Sequence, residues 1–108
     1  MVDLEPVRGA EADKRRPAVV VSNDGANATT SKLWRRGVTV VLVTSNIRRV
    51  YPFQVLLPAR ATGLRHDFKA QAEQVRSVTV QRLGPRVGNL PPAIMEKLDE
   101  ALRLHLAL

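Results

Sequence analysis

Following Gly37 the chain reads Val38-Thr39-Val40-Val41-Leu42-Val43-Thr44-Ser45, five aliphatic and two β-branched hydroxyl residues closed by Ser45-Asn46. β-Branched side chains lose rotamer freedom against a helical turn and pack well on a pleated surface, so this run predicts a strand over 37–45. It is buried along most of its length and turns polar at Thr44, Ser45 and Asn46. A second run, Ala18-Val19-Val20-Val21-Ser22, is apolar without alternation, as a strand covered on both faces must be. Two such strands need others beside them. Phe53-Gln54-Val55-Leu56-Leu57, stopped by Pro58, is one. Residues 68–73 are another, with Phe68, Ala70 and Ala72 on an inner face and Lys69, Gln71 and Glu73 on a wet one. Residues 2–5 form a short strand cut by Pro6, and 86–88 a last short strand between turn signals.

The remaining segments connect these strands. Ser22-Asn23-Asp24-Gly25 is turn chemistry, 26–34 reads as a short helix or crossover, 59–65 as a turn around Gly63, and 78–81 as a helical turn. Pro91-Pro92 preset the start of a helix in which Met95, Leu98, Leu102 and Leu106 recur on one face. Ala101, Leu104 and Leu108 add a second apolar edge, which predicts burial on two sides or against a partner. The chain of 108 residues is expected to be one domain, a mainly β fold in which five to seven short antiparallel strands form a small barrel beside a C-terminal amphipathic helix.

Charge narrows the function. From Lys14 to Arg49 there are eight basic residues and one acid, Asp24, so this third of the chain carries the whole formal net charge of +7. Such a field attracts polyanions, nucleic acid above all, and its arginines favour bidentate contact with phosphate. The chain has no cysteine, and its two histidines lie nearly forty positions apart, which supplies no recognisable metal-ligand set and implies no cofactor. No phosphate-binding glycine-rich loop, membrane span or leader is legible, so a cytoplasmic location away from the membrane is expected.

What remains for chemistry is arginine plus hydroxyl. Lys14-Arg15-Arg16-Pro17 leads into the strand at 18–22, where a rigid backbone can hold a guanidinium in place. RNA carries its own nucleophile, the 2′-hydroxyl beside each phosphate, so a protein can cleave it by orienting the phosphate and stabilising charge on the phosphoryl oxygens. Arg16 and Thr44 or Ser45 suit those tasks. Spacing alone favours Arg16 as a surface ion-pair partner and Thr44 as an ordinary strand residue. His66, beside Asp67, reads as a surface histidine near a turn; Asp67 and Glu73 read as solvated strand residues.

Four stretches in order, Arg15-Arg16-Pro17-Ala18-Val19-Val20-Val21-Ser22-Asn23-Asp24, Val43-Thr44-Ser45-Asn46-Ile47, Gln71-Ala72-Glu73-Gln74-Val75-Arg76-Ser77-Val78, and Leu98-Asp99-Glu100-Ala101-Leu102 with Leu106-Ala107-Leu108, resemble the MazF/PemK family of bacterial toxins. The resemblance implies an SH3-like barrel that dimerises and a metal-independent endoribonuclease that cuts single-stranded RNA at short sequences. It implies neutralisation by a MazE-like antitoxin whose acidic, disordered tail fills the RNA groove. It carries the catalytic roles to Arg16 and Thr44. RNA contacts then fall to Arg8, Glu11, Lys14 and Arg15 before the second strand, to Ser45, Asn46, Arg48 and Arg49 after the central one, and to Gln74 and Arg76, which shape the groove. Three departures stand out: Arg8-Gly9-Ala10-Glu11 lacks a serine common in the family's loop, Phe68 replaces a serine after the aspartate, and Met1 falls within the family's first strand, which is therefore expected to be short. A non-catalytic alternative is a gyrase inhibitor or nucleic-acid-binding module of the same fold.

Overall fold

The computed structural model describes residues 1–4, 16–21, 37–79 and 82–108. Six strands, β1 (Val2–Leu4), β2 (Arg16–Val20), β3 (Gly37–Thr44), β4 (Gln54–Leu57), β5 (Phe68–Thr79) and β6 (Leu83–Arg86), form one sheet in the order β4-β5-β3-β2-β1-β6. Every pairing in it is antiparallel. Two helices complete the described residues: α1 (Ala59–Thr62) and α2 (Pro92–Leu106). The mainly β class with a C-terminal helix is as expected; β4 and β6 are the two ends of the strand order, so among the described residues the sheet is not closed by backbone pairing into a barrel.

The apolar run of β3 is explained by its position. Val41 and Val43 point to one side, with Val19, Val55, Leu57, Phe68, Ala70 and Ala72, and meet Leu98 and Ala101 of α2. Val38, Val40 and Leu42 point to the other, with Ala18 and Val78, against which Val20 and Leu83 pack. A strand filled on both faces has no place for alternation. Leu57, Leu98, Val40 and Val41 are the largest side chains fully removed from solvent, and each such burial is worth about 1.5–3 kcal/mol.

β5 is the element that the sequence pattern describes least well. It runs for twelve residues, through Val78 and Thr79, where a helical turn over 78–81 was expected; residues 80 and 81 lie outside the described residues. Its register against β3 slips, because Val41 faces Val75 while Val43 faces Ala70. The intervening residues 71–74 therefore bulge, bending β5 so that its first part also pairs with β4 and its second part only with β3. The expected wet face at its start is overturned: Lys69 is buried along with Phe68 and Ala70.

Other differences are local. The segment expected as a turn over 59–65 contains a helical turn, α1, ended by Gly63 at φ 79°, a left-handed cap open to glycine without strain. Asp67 is exposed, as expected, yet its carboxylate accepts the N–H of Ala59 at 2.8 Å and so fixes the start of that turn. The last strand lies at Leu83–Arg86 rather than 86–88. Gly88 sits against Thr62, whose carbonyl a Cβ would approach to 2.8 Å. On α2, Leu98 and Ala101 are buried, but Leu106 is 48 % exposed although its spacing places it with Leu98, since full burial on the helix ends at Ala101. Leu104 and Leu108 are exposed too. The second apolar edge is thus buried at Ala101 and uncovered at Leu104 and Leu108 within one copy of the chain. The helix expected at 26–34 lies outside the described residues.

Candidate functional site

Arg16 opens β2 and is exposed. The proline after it excludes helical backbone for Arg16 and holds it extended. In the β2–β3 ladder Ala18 faces Leu42 and Val20 faces Val40; continued by two residues, the same register sets Arg16 opposite Thr44. The ladder continues on both sides, with Leu4 against Arg16, Lys69 against Thr44, and Leu56 against Lys69. Thr44, Lys69 and Leu56 thus share one rung, and the β2–β3 register, extended two residues beyond its last pair, brings Arg16 toward that rung with its side chain on the same face. That face is the one that α2 does not cover.

Thr44 is half-buried at the end of β3. Its Oγ1 accepts the N–H of Asn46 at 3.2 Å, and the Oδ1 of Asn46 accepts the N–H of Arg48 at 3.3 Å. Two side-chain turns in succession lead the chain out of the strand, the chemistry that makes Thr-Ser-Asn a strand terminator. The Thr44 hydroxyl keeps its own proton for donation, with no acceptor among the described residues. Ser45, Asn46, Arg48 and Arg49 are all exposed along this loop.

The loop is tied down further on. Lys69 Nζ donates to the carbonyl of Arg49 at 2.6 Å and lies 5.9 Å from the centroid of the Tyr51 ring. The Arg49 guanidinium carbon stands 5.1 Å from the same centroid, within cation–π range. Tyr51 stacks on Phe53 with centroids 5.5 Å apart and planes 4° from parallel. The Tyr51 N–H donates to Gln54 Oε1 at 3.1 Å, and Gln54 Nε2 donates to Glu73 Oε2 at 2.7 Å. Glu73 is thus not a solvated strand residue: it is half-buried in the β5 bulge, and its Oε1 is buried without a hydrogen-bond partner among the described residues.

Arg76 pairs with Val40 in the ladder, which places it on the face of Arg16 and Thr44, and its Nη2 donates to Gln74 Oε1 at 3.0 Å. Both residues stand farther along β5 than the rung. The structure therefore gathers Arg16, Thr44, Ser45, Asn46, Arg48 and Arg49 at one end of the sheet and sets Gln74 and Arg76 along the same face. Arg8, Glu11, Lys14 and Arg15 lie outside the described residues. Sequence reasoning missed Lys69, Tyr51, Gln54 and Glu73, because what matters in each is a partner about twenty positions away or a ring contact. For Lys69 the only local signal is its place two residues after Asp67, on a face that alternation alone calls wet.

The chemistry of this assembly is cationic. Exposed arginines share one end of the sheet with a half-buried hydroxyl, while the buried Lys69 is turned to the Arg49 carbonyl, and among the described residues no group of three or more His, Asp or Glu could hold a metal ion. His66 is exposed; its ring stacks on Phe68 at 4.4 Å and its Nδ1 lies 3.2 Å from the carbonyl oxygen of Asp67, away from the rung. His105 is exposed on α2, 6.4 Å from Phe53. Among the described residues no helix is long and apolar enough to cross a membrane. Guanidinium and hydroxyl groups on one face have the chemistry to meet a phosphodiester and to stabilise negative charge on it.

Comparison with known proteins agrees. The family model of PemK-like, MazF-like toxins of type II toxin-antitoxin systems matches residues 1–106. The chain is 61% identical over 107 residues to endoribonuclease MazF9 of Mycobacterium tuberculosis, covering 99% of this chain and 91% of that one. Its fold is similar to that of the Mycobacterium tuberculosis toxin MazF-mt6, with a TM-score of 0.78 at 20% identity over 99% of this chain and 96% of that one. It is also similar to a MazE-MazF structure from Deinococcus radiodurans, with a TM-score of 0.73 at 27% identity over 99% of this chain and 90% of that one.

Proposed function

The chain belongs to the PemK/MazF family of toxins of type II toxin-antitoxin systems, and from that footing we propose that it is an endoribonuclease that cuts single-stranded RNA without a metal ion. The ribose 2′-hydroxyl attacks the adjacent phosphorus and loses its proton; the 5′-oxygen leaves and gains one. The products are a 2′,3′-cyclic phosphate and a 5′-hydroxyl. Arg16 stabilises the charge that grows on the phosphoryl oxygens, and the free Thr44 proton holds one of those oxygens in line. The observation that carries this reading is the common face: Arg16 and Thr44, 28 positions apart in sequence, lie at the same end of the antiparallel β2 and β3, on the face that α2 leaves open.

Ser45, Asn46, Arg48 and Arg49 hold the RNA backbone at the end of the sheet, with Gln74 and Arg76 along its path. Arg8, Glu11, Lys14 and Arg15 complete that contact in this reading. The exposed Leu104, Leu106 and Leu108 suit a homodimer contact, and the basic segment suits the acidic, disordered tail of a MazE-like antitoxin, with the toxin acting in the cytoplasm. Identity to a relative named as an endoribonuclease favours cleavage over a gyrase inhibitor or a module that only binds nucleic acid.

Purified protein incubated with RNA in EDTA is expected to release fragments with 5′-hydroxyl ends. Intact RNA from folded protein overturns the proposal. Binding has its own signature, since each phosphate contact made by a cation displaces a counterion. Arg48→Ala and Arg49→Ala are each expected to weaken RNA binding regardless of sequence and to reduce the slope of log affinity against log salt by about 0.7, measured by fluorescence anisotropy on an RNA in which a 2′-deoxy linkage prevents cleavage.

A further inference from the structure

Among the described residues Lys69 is the one buried cation, 7% exposed. Removing an ammonium from water is costly unless something compensates it. The usual compensation, a carboxylate, is absent among the described residues. What Lys69 has is the carbonyl of Arg49 at 2.6 Å and the Tyr51 ring at 5.9 Å. Both belong to the loop between β3 and β4, twenty and eighteen positions away in sequence. The desolvated charge is therefore spent on a backbone oxygen of the loop that carries Arg48 and Arg49.

We infer that Lys69 is the positioning residue that holds this loop in its RNA-binding form. The loop is fixed at three points. Its start is turned by Thr44 and Asn46, and its end is held by Gln54, which takes the Tyr51 N–H and is itself fixed by Glu73. Between these ends the side chains of Arg48 and Arg49 are exposed, and the Lys69 contact is the anchor of that middle stretch. Lys69 stands opposite Thr44 in the ladder, so the rung that carries Thr44 also sets the height of the loop above it. A preorganised loop presents its guanidinium groups without ordering them at the moment of binding. Lys69 acts through Arg48 and Arg49 and does not itself touch RNA.

This inference rests on the proposed RNA cleavage, and two readouts separate the failure of one from that of the other. Lys69→Met keeps the aliphatic stem and removes the donor. The full-length variant is expected to raise KM for RNA at least tenfold with kcat within threefold of wild type, and to speed amide exchange at residues 48–51 at least tenfold without RNA present. Lys69→Arg, which restores a donor, is expected to recover KM to within threefold. An unchanged KM together with unchanged exchange overturns the inference, as does a loss confined to kcat and thermal stability. If Lys69→Met does not fold, the wild-type chain decides: slow solvent exchange of the Lys69 ammonium protons in 15N-resolved spectra supports the clamp, and exchange as fast as that of Lys97, on the exposed side of α2, overturns it. If wild type leaves RNA intact while the exchange effects hold, the clamp stands and the nuclease reading falls.

Discussion

Arg16→Ala is expected to lower RNA cleavage by about 10²–10³-fold, the usual loss when one preorganised donor to a developing oxyanion is removed. The fold is expected to survive, because Arg16 is exposed and Pro17, not the guanidinium, sets the strand's entry. Exposed substitutions of this kind cost within about 0.5 kcal/mol. Lysine is a sharper substitute than alanine. Arg16→Lys keeps the charge but gives up the planar fork that meets two phosphoryl oxygens at once, so most of the loss is expected to persist. Single-turnover cleavage at saturating protein separates this effect from weaker binding. Activity within threefold of wild type in both variants contradicts the role given to Arg16.

The largest stability effect is expected at Leu98. It is fully buried at the centre of the cluster that joins α2 to β3, β4 and β5, in company with Val41, Val43, Leu57 and Ala101. Leu98→Ala removes apolar surface and leaves a cavity that the sheet cannot close, a loss of about 2–5 kcal/mol. Against a total of about 5–15 kcal/mol for a domain of this size, the variant retains little reserve. Its thermal midpoint is expected to fall by at least about 10 °C. Lys97→Ala, at an exposed site on the same helix, is expected to shift stability by no more than about 0.5 kcal/mol. Thermal melts of the two variants at equal protein concentration make the comparison, since dimerisation would make the midpoint concentration-dependent. Equal shifts would mean that α2 is not held where the structure has it.

The parts of this fold that are legible in sequence are those fixed by local chemistry. An apolar run without alternation announced β3 and β2, and Pro91-Pro92 with the leucine spacing announced α2. Arg16 and Thr44 were legible as a pair only through the family resemblance, because spacing alone favours an ordinary strand residue and a surface arginine. What the residues could not disclose is the register that brings them to one end of one face, a property of strand pairing that no local pattern encodes. The β5 bulge was hidden for the same reason. Alternation through Phe68, Ala70 and Ala72 is genuine, but it predicts solvent on the other face, and the loop from Ser45 to Phe53 occupies that space above Lys69. Glu73 followed: its partner, Gln54, lies 19 positions away on another strand. Leu106 was misplaced by helical periodicity because periodicity fixes a direction around the axis and says nothing of where the sheet beneath it ends.

The site as a whole depends on one claim, that the RNA's own 2′-hydroxyl is the nucleophile and that Arg16 and Thr44 act on the phosphate beside it. A guanidinium and a hydroxyl on one open face suit that chemistry, and fold alone does not establish it. The direct measurement replaces the ribose on the 5′ side of a mapped cut with its 2′-deoxy form, in an RNA otherwise unchanged, and compares cleavage in EDTA. The substituted linkage is expected to stay intact while binding is retained and unsubstituted RNA is cut. Cleavage at the deoxy linkage would overturn the role of the 2′-hydroxyl, because the attacking oxygen would then have to come from water.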